Sequence, residues 1–168
     1  MKASFQQDYP ASVEKLWQVF GDPDYPHKKY RELGITGYKV HAFNMSGNTI
    51  NLDMTRTLSI PPSKIPALVQ KFLHPEQVLR YVSSWNRKGP EQAEFDLDII
   101  PQGLPVHVKA VGTLKQTGLN SSTMLLDFDV KASVPLFGHK IESLIAHQIE
   151  KSFRSDHAFT LKYLAENS

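Results

Sequence analysis

The stretch Thr123–Tyr163, TMLLDFDVKASVPLFGHKIESLIAHQIEKSFRSDHAFTLKY, decides the fold. It reads as a strand over Thr123–Ala132, a Pro-Gly elbow over Val134–Gly138, and one long amphipathic helix starting near His139. In the strand, Met124, Leu126, Phe128 and Val130 alternate with Leu125, Asp127, Asp129 and Lys131. That period of two belongs to a sheet with one packed and one wet face. Turning roughly 100° per residue, the helix puts Ile141, Leu144, Ile145, Phe159 and Tyr163 on one side. Ser143, His147, Glu150, Arg154 and His157 fall opposite. Gln148, Ser152 and Asp156 interrupt the apolar stripe. An unpartnered polar group costs roughly 1–3 kcal/mol to bury, so a helix that merely plugged a core would carry Leu or Ala there. A helix closing over a partly wet cavity can use them. The plainer reading is that they hydrogen-bond to nearby backbone or, for Asp156, to a cation.

Upstream, the same two periods recur. Ser4–Tyr9 is a first short strand ending at Pro10. Ser12 caps a short helix over Val13–Phe20, whose Val13, Leu16, Trp17 and Phe20 share a face, with Lys15 where a capping box would place Glu or Gln. Asp22-Pro23 breaks it, and a second short helix runs to Glu32. Hairpins follow: Tyr38–Phe43 with Thr49–Leu58, Gln77–Arg87 with Glu91–Ile100, and Val106–Gln116 with Thr123–Ala132. The expected fold class is α+β, a curved seven-stranded antiparallel sheet wrapped around a long C-terminal helix. Two short helices follow strand one. No repeat or linker interrupts residues 1–168, which read as a single domain.

Composition excludes several function classes. The 168 residues carry a net charge of +2 and no dense Lys/Arg run, which argues against a nucleic-acid partner. With no cysteine, disulfides, thiolate chemistry and Cys-based metal sites are out. The opening MKASFQQDYP lacks an apolar signal segment, and no run approaches about 18 apolar residues, so a cytoplasmic location and no transmembrane segment are expected. Catalytic and cofactor fingerprints are missing: no G-x-S-x-G, H-E-x-x-H, phosphate-binding or dinucleotide motif occurs. None of the seven histidines has a partner at ligand spacing. Neither a metal nor a cofactor is expected, and an enzyme is the less favoured reading. Glu94, Asp96 and Asp98 alternate on a solvent face rather than forming a catalytic pair.

Three segments carry a family resemblance: YPASVEKLWQVFGDPDY at Tyr9–Tyr25, RTLSIPPSKIPALVQKFL at Arg56–Leu73, and VPLFGHKIESLIAHQIEKSF at Val134–Phe153. With the order of elements, they resemble the START-like superfamily, also called SRPBCC or helix-grip. It includes lipid-transfer domains, plant pathogenesis-related and hormone-receptor proteins, and polyketide cyclases. The chain is similar to a bacterial, uncharacterised domain-of-unknown-function branch of it. The resemblance covers essentially the whole chain and implies a hydrophobic cavity, while fold analogy leaves the chemistry open.

Residues facing such a cavity can then be named. Arg56 falls on the apolar side of its strand with Ile50, Leu52, Met54 and Leu58, and a buried guanidinium needs a partner. Asp156 is one candidate and the carboxylate or phosphate of an amphiphilic ligand another; a pinning salt bridge or an Arg at the cavity mouth is the plainer reading. Gln77–Arg87 offers either Leu79, Tyr81 and Trp85 or Val78, Val82 and Ser84 inward. The aromatic set is favoured because Tyr81 and Trp85 can line a pocket with a polar tip, although core packing alone explains them equally well. Phe95 alternates inward with Ala93, Leu97 and Ile99. The expected binding residues are therefore Arg56, Tyr81, Trp85, Phe95, Gln148, Ser152, Asp156 and Phe159, with no catalytic set. No inward histidine is expected. The segment Ser59–Pro75 reads as a crossover in which Ala67–Leu73 forms a short helix. Its Ile65, Leu68 and Phe72 either touch a membrane transiently or cap the core.

The leading functional expectation is binding or carriage of a hydrophobic or amphiphilic, lipid-like small molecule between sheet and helix. Two alternatives stay open: a cyclase- or aromatase-like enzyme using Tyr81, Arg56 and Asp156, and a protein-interaction module. Ligand identity and oligomeric state are not encoded in these patterns.

Overall fold

A computed structural model describes residues 1–167. The elements, in chain order, are β1 (Lys2–Tyr9), α1 (Val13–Phe20), α2 (Tyr25–Glu32), β2 (Tyr38–Ser46), β3 (Thr49–Ser59), β4 (Glu76–Gly89), β5 (Gln92–Pro101), β6 (Val106–Gly118), β7 (Ser121–Ala132) and α3 (Gly138–Glu166). A seven-stranded sheet runs β1-β7-β6-β5-β4-β3-β2, and every neighbouring pair is antiparallel. Strands two to seven are joined sequentially, whereas β1 reaches the far edge beside β7, with α1 and α2 spanning the gap. This is the α+β helix-grip arrangement expected from the alternating patterns.

Alternation sets which face is packed. Met124, Leu126, Phe128 and Val130 of β7 are all buried, as are Ala93, Phe95, Leu97 and Ile99 of β5. Gly112 on β6 is needed where the sheet folds tightly, since a Cβ there would lie 2.8 Å from Leu126 Cδ2 and 3.2 Å from the Leu125 carbonyl oxygen. Ser12 caps α1, its Oγ accepting from the Lys15 amide at 3.1 Å. The helix buries Val13, Leu16, Trp17 and Val19.

At the elbow, a Cβ on Gly138 would stand 2.7 Å from the Ala132 carbonyl oxygen, so glycine lets α3 start directly against the end of β7. The Ala132 amide donates to Glu142 Oε1 at 3.0 Å, and the N-terminal ammonium lies 3.4 Å from Glu142 Oε2. The first turn of α3 is thereby tied to both β7 and β1. Further along, α3 packs closest on β7 and β1, α1 touches β6, and α2 touches α3.

The crossover departs from expectation. Ala67–Leu73 does not form a helix: a single 3-10 turn occupies Pro62–Lys64, and separate tight turns follow. Val69 and Gln70 donate to the Pro66 carbonyl, and Phe72 and Leu73 to that of Val69, so the segment closes two separate turns rather than a continuous ladder. Ile65, Val69 and Leu73 are buried, at 4%, 0% and 2% exposure, and cap the core. Of the three residues expected to offer a membrane contact, Ile65 is therefore unavailable. Phe72 is half-buried 5.8 Å from the Phe137 ring, and Leu68, 56% exposed, points out. Among the described residues no helix is long and apolar enough to cross a membrane.

Candidate functional site

Because α3 lies toward the β1–β7 side, the concave surface of β3, β4 and β5 is left facing a cavity of about 170 Å3. Its floor is the inward side of the sheet: Ile50, Leu52, Met54 and Arg56 of β3, Tyr81, Ser83 and Trp85 of β4, and Phe95, Leu97 and Ile99 of β5. Tyr25, Pro26, Lys29 and Tyr30 of α2 close one side. The roof comes from α3 with Ile149, Ser152, Phe153, Asp156, His157 and Thr160, and Gln7, Tyr9, Phe20, Phe43 and Met124 complete the wall.

One end of this space is aromatic. The Trp85 ring stacks on Phe20 at 5.4 Å and 21°, and packs against Phe95 at 4.7 Å. Alternation on β4 brought Tyr81 and Trp85 to the same face, as the sequence suggested.

The other end is charged. Lys29 of α2 donates to Asp156 Oδ2 of α3 at 3.1 Å, both side chains being largely enclosed. Burial disfavours the Lys29 ammonium, but the Asp156 carboxylate, with Tyr30 and Tyr25 beside it, outweighs that and holds its pKa above the usual lysine value. Arg56 lies 5.7 Å from the Tyr30 ring centre. Among the described residues its guanidinium has neither a carboxylate nor a hydrogen-bond partner, and its Nε is buried without one. Asp156 Oδ1 is likewise buried and unpartnered. The expected Arg56–Asp156 pair is thus not formed. Lys29, four residues after Tyr25 on the buried side of α2, has taken the carboxylate.

Tyrosine hydroxyls surround these charges, and most are occupied. Tyr9 donates to Gln7 Oε1 at 2.9 Å, and Tyr30 to Met54 Sδ at 3.4 Å. Thr160 Oγ1 donates to the Asp156 carbonyl oxygen at 2.9 Å, so the Tyr25 hydroxyl must be the donor in its 2.6 Å bond to Thr160. Tyr81 is the exception, with no hydrogen-bond partner among the described residues. Across β3 and β4, Arg56 is opposite Leu79 and Tyr81 is opposite Met54. Arg56 and Tyr81 are therefore diagonal neighbours on one face, two free donors side by side. Burial pushes the phenols of Tyr9, Tyr25 and Tyr81 up, and for Tyr81 the nearby Arg56 charge only partly offsets it.

Six of the eight expected residues line the cavity: Arg56, Tyr81, Trp85, Phe95, Ser152 and Asp156. Gln148 is buried on α3 outside the lining. Phe159 also lies outside it, packed 5.6 Å from Tyr25 and 6.0 Å from Tyr163, where it joins α3 to α2. His157, read as a residue of the polar helix face, does reach the lining; its Nε2 donates to the Asp8 carbonyl oxygen at 2.8 Å and its ring abuts Tyr9 at 5.0 Å. Lys29 and Tyr30 were missed, although their spacing from Tyr25 and Pro26 is the i, i+4 signal of a buried helix face. Among the described residues, no three His, Asp or Glu side chains gather as a metal site.

The family model described as "Protein of unknown function (DUF2505)" matches residues 4–164. The chain belongs to this family. Among curated relatives of this DUF2505 chain, an uncharacterized protein of Mycobacterium tuberculosis is 21% identical over 166 residues, covering 95% of this chain and 94% of that protein. Solved structures agree in fold. A START superfamily protein from Mycobacterium smegmatis superposes with a TM-score of 0.53 at 15% identity, covering 97% of this chain and 98% of that one. The Zhui aromatase/cyclase from Streptomyces superposes with a TM-score of 0.60 at 10% identity, covering 97% and 92%. At such identities the likeness concerns the fold, which is START-like.

Proposed function

We propose that this DUF2505 chain binds a hydrophobic or amphiphilic small molecule in the cavity between the sheet and α3. The observation that carries the reading is the division of that cavity into an aromatic end at Phe20, Trp85 and Phe95 and a charged end at Lys29, Arg56 and Asp156. Concave, mostly apolar sites with a few converging polar groups are where small ligands bind. Burial of apolar ligand surface supplies about 25 cal/mol per Å2 before the costs of association, and the polar end orients the head. The START superfamily and aromatase/cyclase likenesses support a small-molecule role by analogy of fold.

Native mass spectrometry of the protein purified from cells, followed by solvent extraction, tests this. A stoichiometric co-purifying apolar metabolite is the expected result and would name its class. A protein that is empty and also ignores a panel of fluorescent amphiphiles would overturn the reading in favour of transient substrates or a protein-interaction role.

A further inference from the structure

The charge balance of the cavity narrows the ligand. Lys29 and Arg56 bring two positive charges to its polar end, and among the described residues Asp156 is the one carboxylate in the lining. Asp156 is committed to Lys29 at 3.1 Å, so the guanidinium of Arg56 remains without a counterion. Diagonal to it, on the adjacent strand, Tyr81 has a hydroxyl with no hydrogen-bond partner among the described residues. A planar guanidinium and a phenol on diagonal positions of one sheet face, both lining the cavity, suit the two oxygens of a carboxylate. A neutral head would leave the guanidinium charge uncompensated, and an ammonium would add a second positive charge beside Arg56.

We infer that the occupant is a small monocarboxylate, its carboxylate held by Arg56 and Tyr81 and its apolar body seated toward Trp85. This rests on the binding reading above and adds charge and size to it. With Lys29 neutralised by Asp156, one unmatched positive charge among the described lining residues balances one negative charge, which suits a monoanion better than a phosphate dianion. The space of about 170 Å3 is close to the ~150 Å3 of an engineered cavity that accepts benzene. A single ring or a short alkyl chain fills that space.

Calorimetric titration of the whole chain with three probes of one shape decides the matter: 3-phenylpropanoate, 3-phenylpropanamide and 3-phenylpropylamine. The expected order is carboxylate tightest, amide about tenfold weaker, and amine weakest, as befits a charge-assisted bond. Equal binding of the carboxylate and the amide would overturn the inference while leaving the binding reading intact. So would binding of hexadecanol with no binding of phenylpropanoate. Arg56→Met should weaken phenylpropanoate at least about tenfold and leave the amide within about twofold, with partial recovery in Arg56→Lys. An unchanged carboxylate affinity in Arg56→Met would refute the role of Arg56. Should that variant fail to fold, the order of the three probes on the wild-type chain still decides.

Discussion

The cavity lining holds two cations and, among the described residues, one carboxylate, Asp156, and that inequality dictates what its removal does. Lys29→Met leaves Arg56 and Asp156, a cavity balanced in charge. Asp156→Asn leaves Lys29 and Arg56 in the lining with no carboxylate among the described residues. Breaking one side of a buried ion pair strands the other charge, and partial solvent contact tempers the cost here. Asp156→Asn should therefore lose about 2–3 kcal/mol and Lys29→Met about 1 kcal/mol, read from urea denaturation midpoints. Equal losses would mean that Arg56 does not feel Asp156. Also at this scale, Gly112→Val should cost about 1–3 kcal/mol, because the added side chain collides with Leu126 and the Leu125 carbonyl. A variant as stable as the wild type would show that β6 and β7 can move apart there.

Among the elements, the elbow between β7 and α3 carries the clearest local strain. Leu136 has φ 66° and is 96% exposed, a left-handed backbone bearing a large side chain with nothing to pack on. The left-handed conformation costs an L-residue about 1–2 kcal/mol, partly offset in a comparison with glycine by the freer unfolded chain. Leu136→Gly should raise stability by about 1 kcal/mol or slightly less in the same denaturation assay; a drop would show that the side chain contributes something. The helix after this elbow was legible from its 100° periodicity, and the hairpins from their alternation. Ala67–Leu73 misled because its apolar spacing suits a helix, whereas its backbone closes only two separate turns, on the Pro66 and Val69 carbonyls. Gln148 and Phe159 misled differently. A helix stripe tells which side is buried but not which turn of it meets a cavity and which meets another helix.

For the whole molecule, the buried bases and phenols set an alkaline limit. Tyr9, Tyr25 and Tyr81, raised chiefly by burial, and Lys29, held up by Asp156 against its burial, all keep their protons in the folded state to higher pH than in the unfolded chain. Unfolded tyrosine and lysine titrate near pH 10 and about 10.4. Their stabilising contribution is complete below about pH 10 and is lost as pH rises above it, since the unfolded chain then releases protons that the folded one retains. Denaturation midpoints should stay level from about pH 8 to 10 and fall beyond, with a shallower fall in Tyr81→Phe. A flat profile through pH 11 would contradict these raised values.

Alternation and helical periodicity by themselves determined the seven strands, the long last helix and which residues share a face, Arg56 with Met54 and Tyr81 with Trp85, because each rests on backbone geometry that repeats within a few residues. Which charges meet was decided only in three dimensions. Lys29 and Asp156 lie more than a hundred residues apart in the chain, and it is the docking of α2 on α3 that pairs them. That pairing leaves Arg56 free beside Tyr81, and so gives the cavity its unmatched positive end.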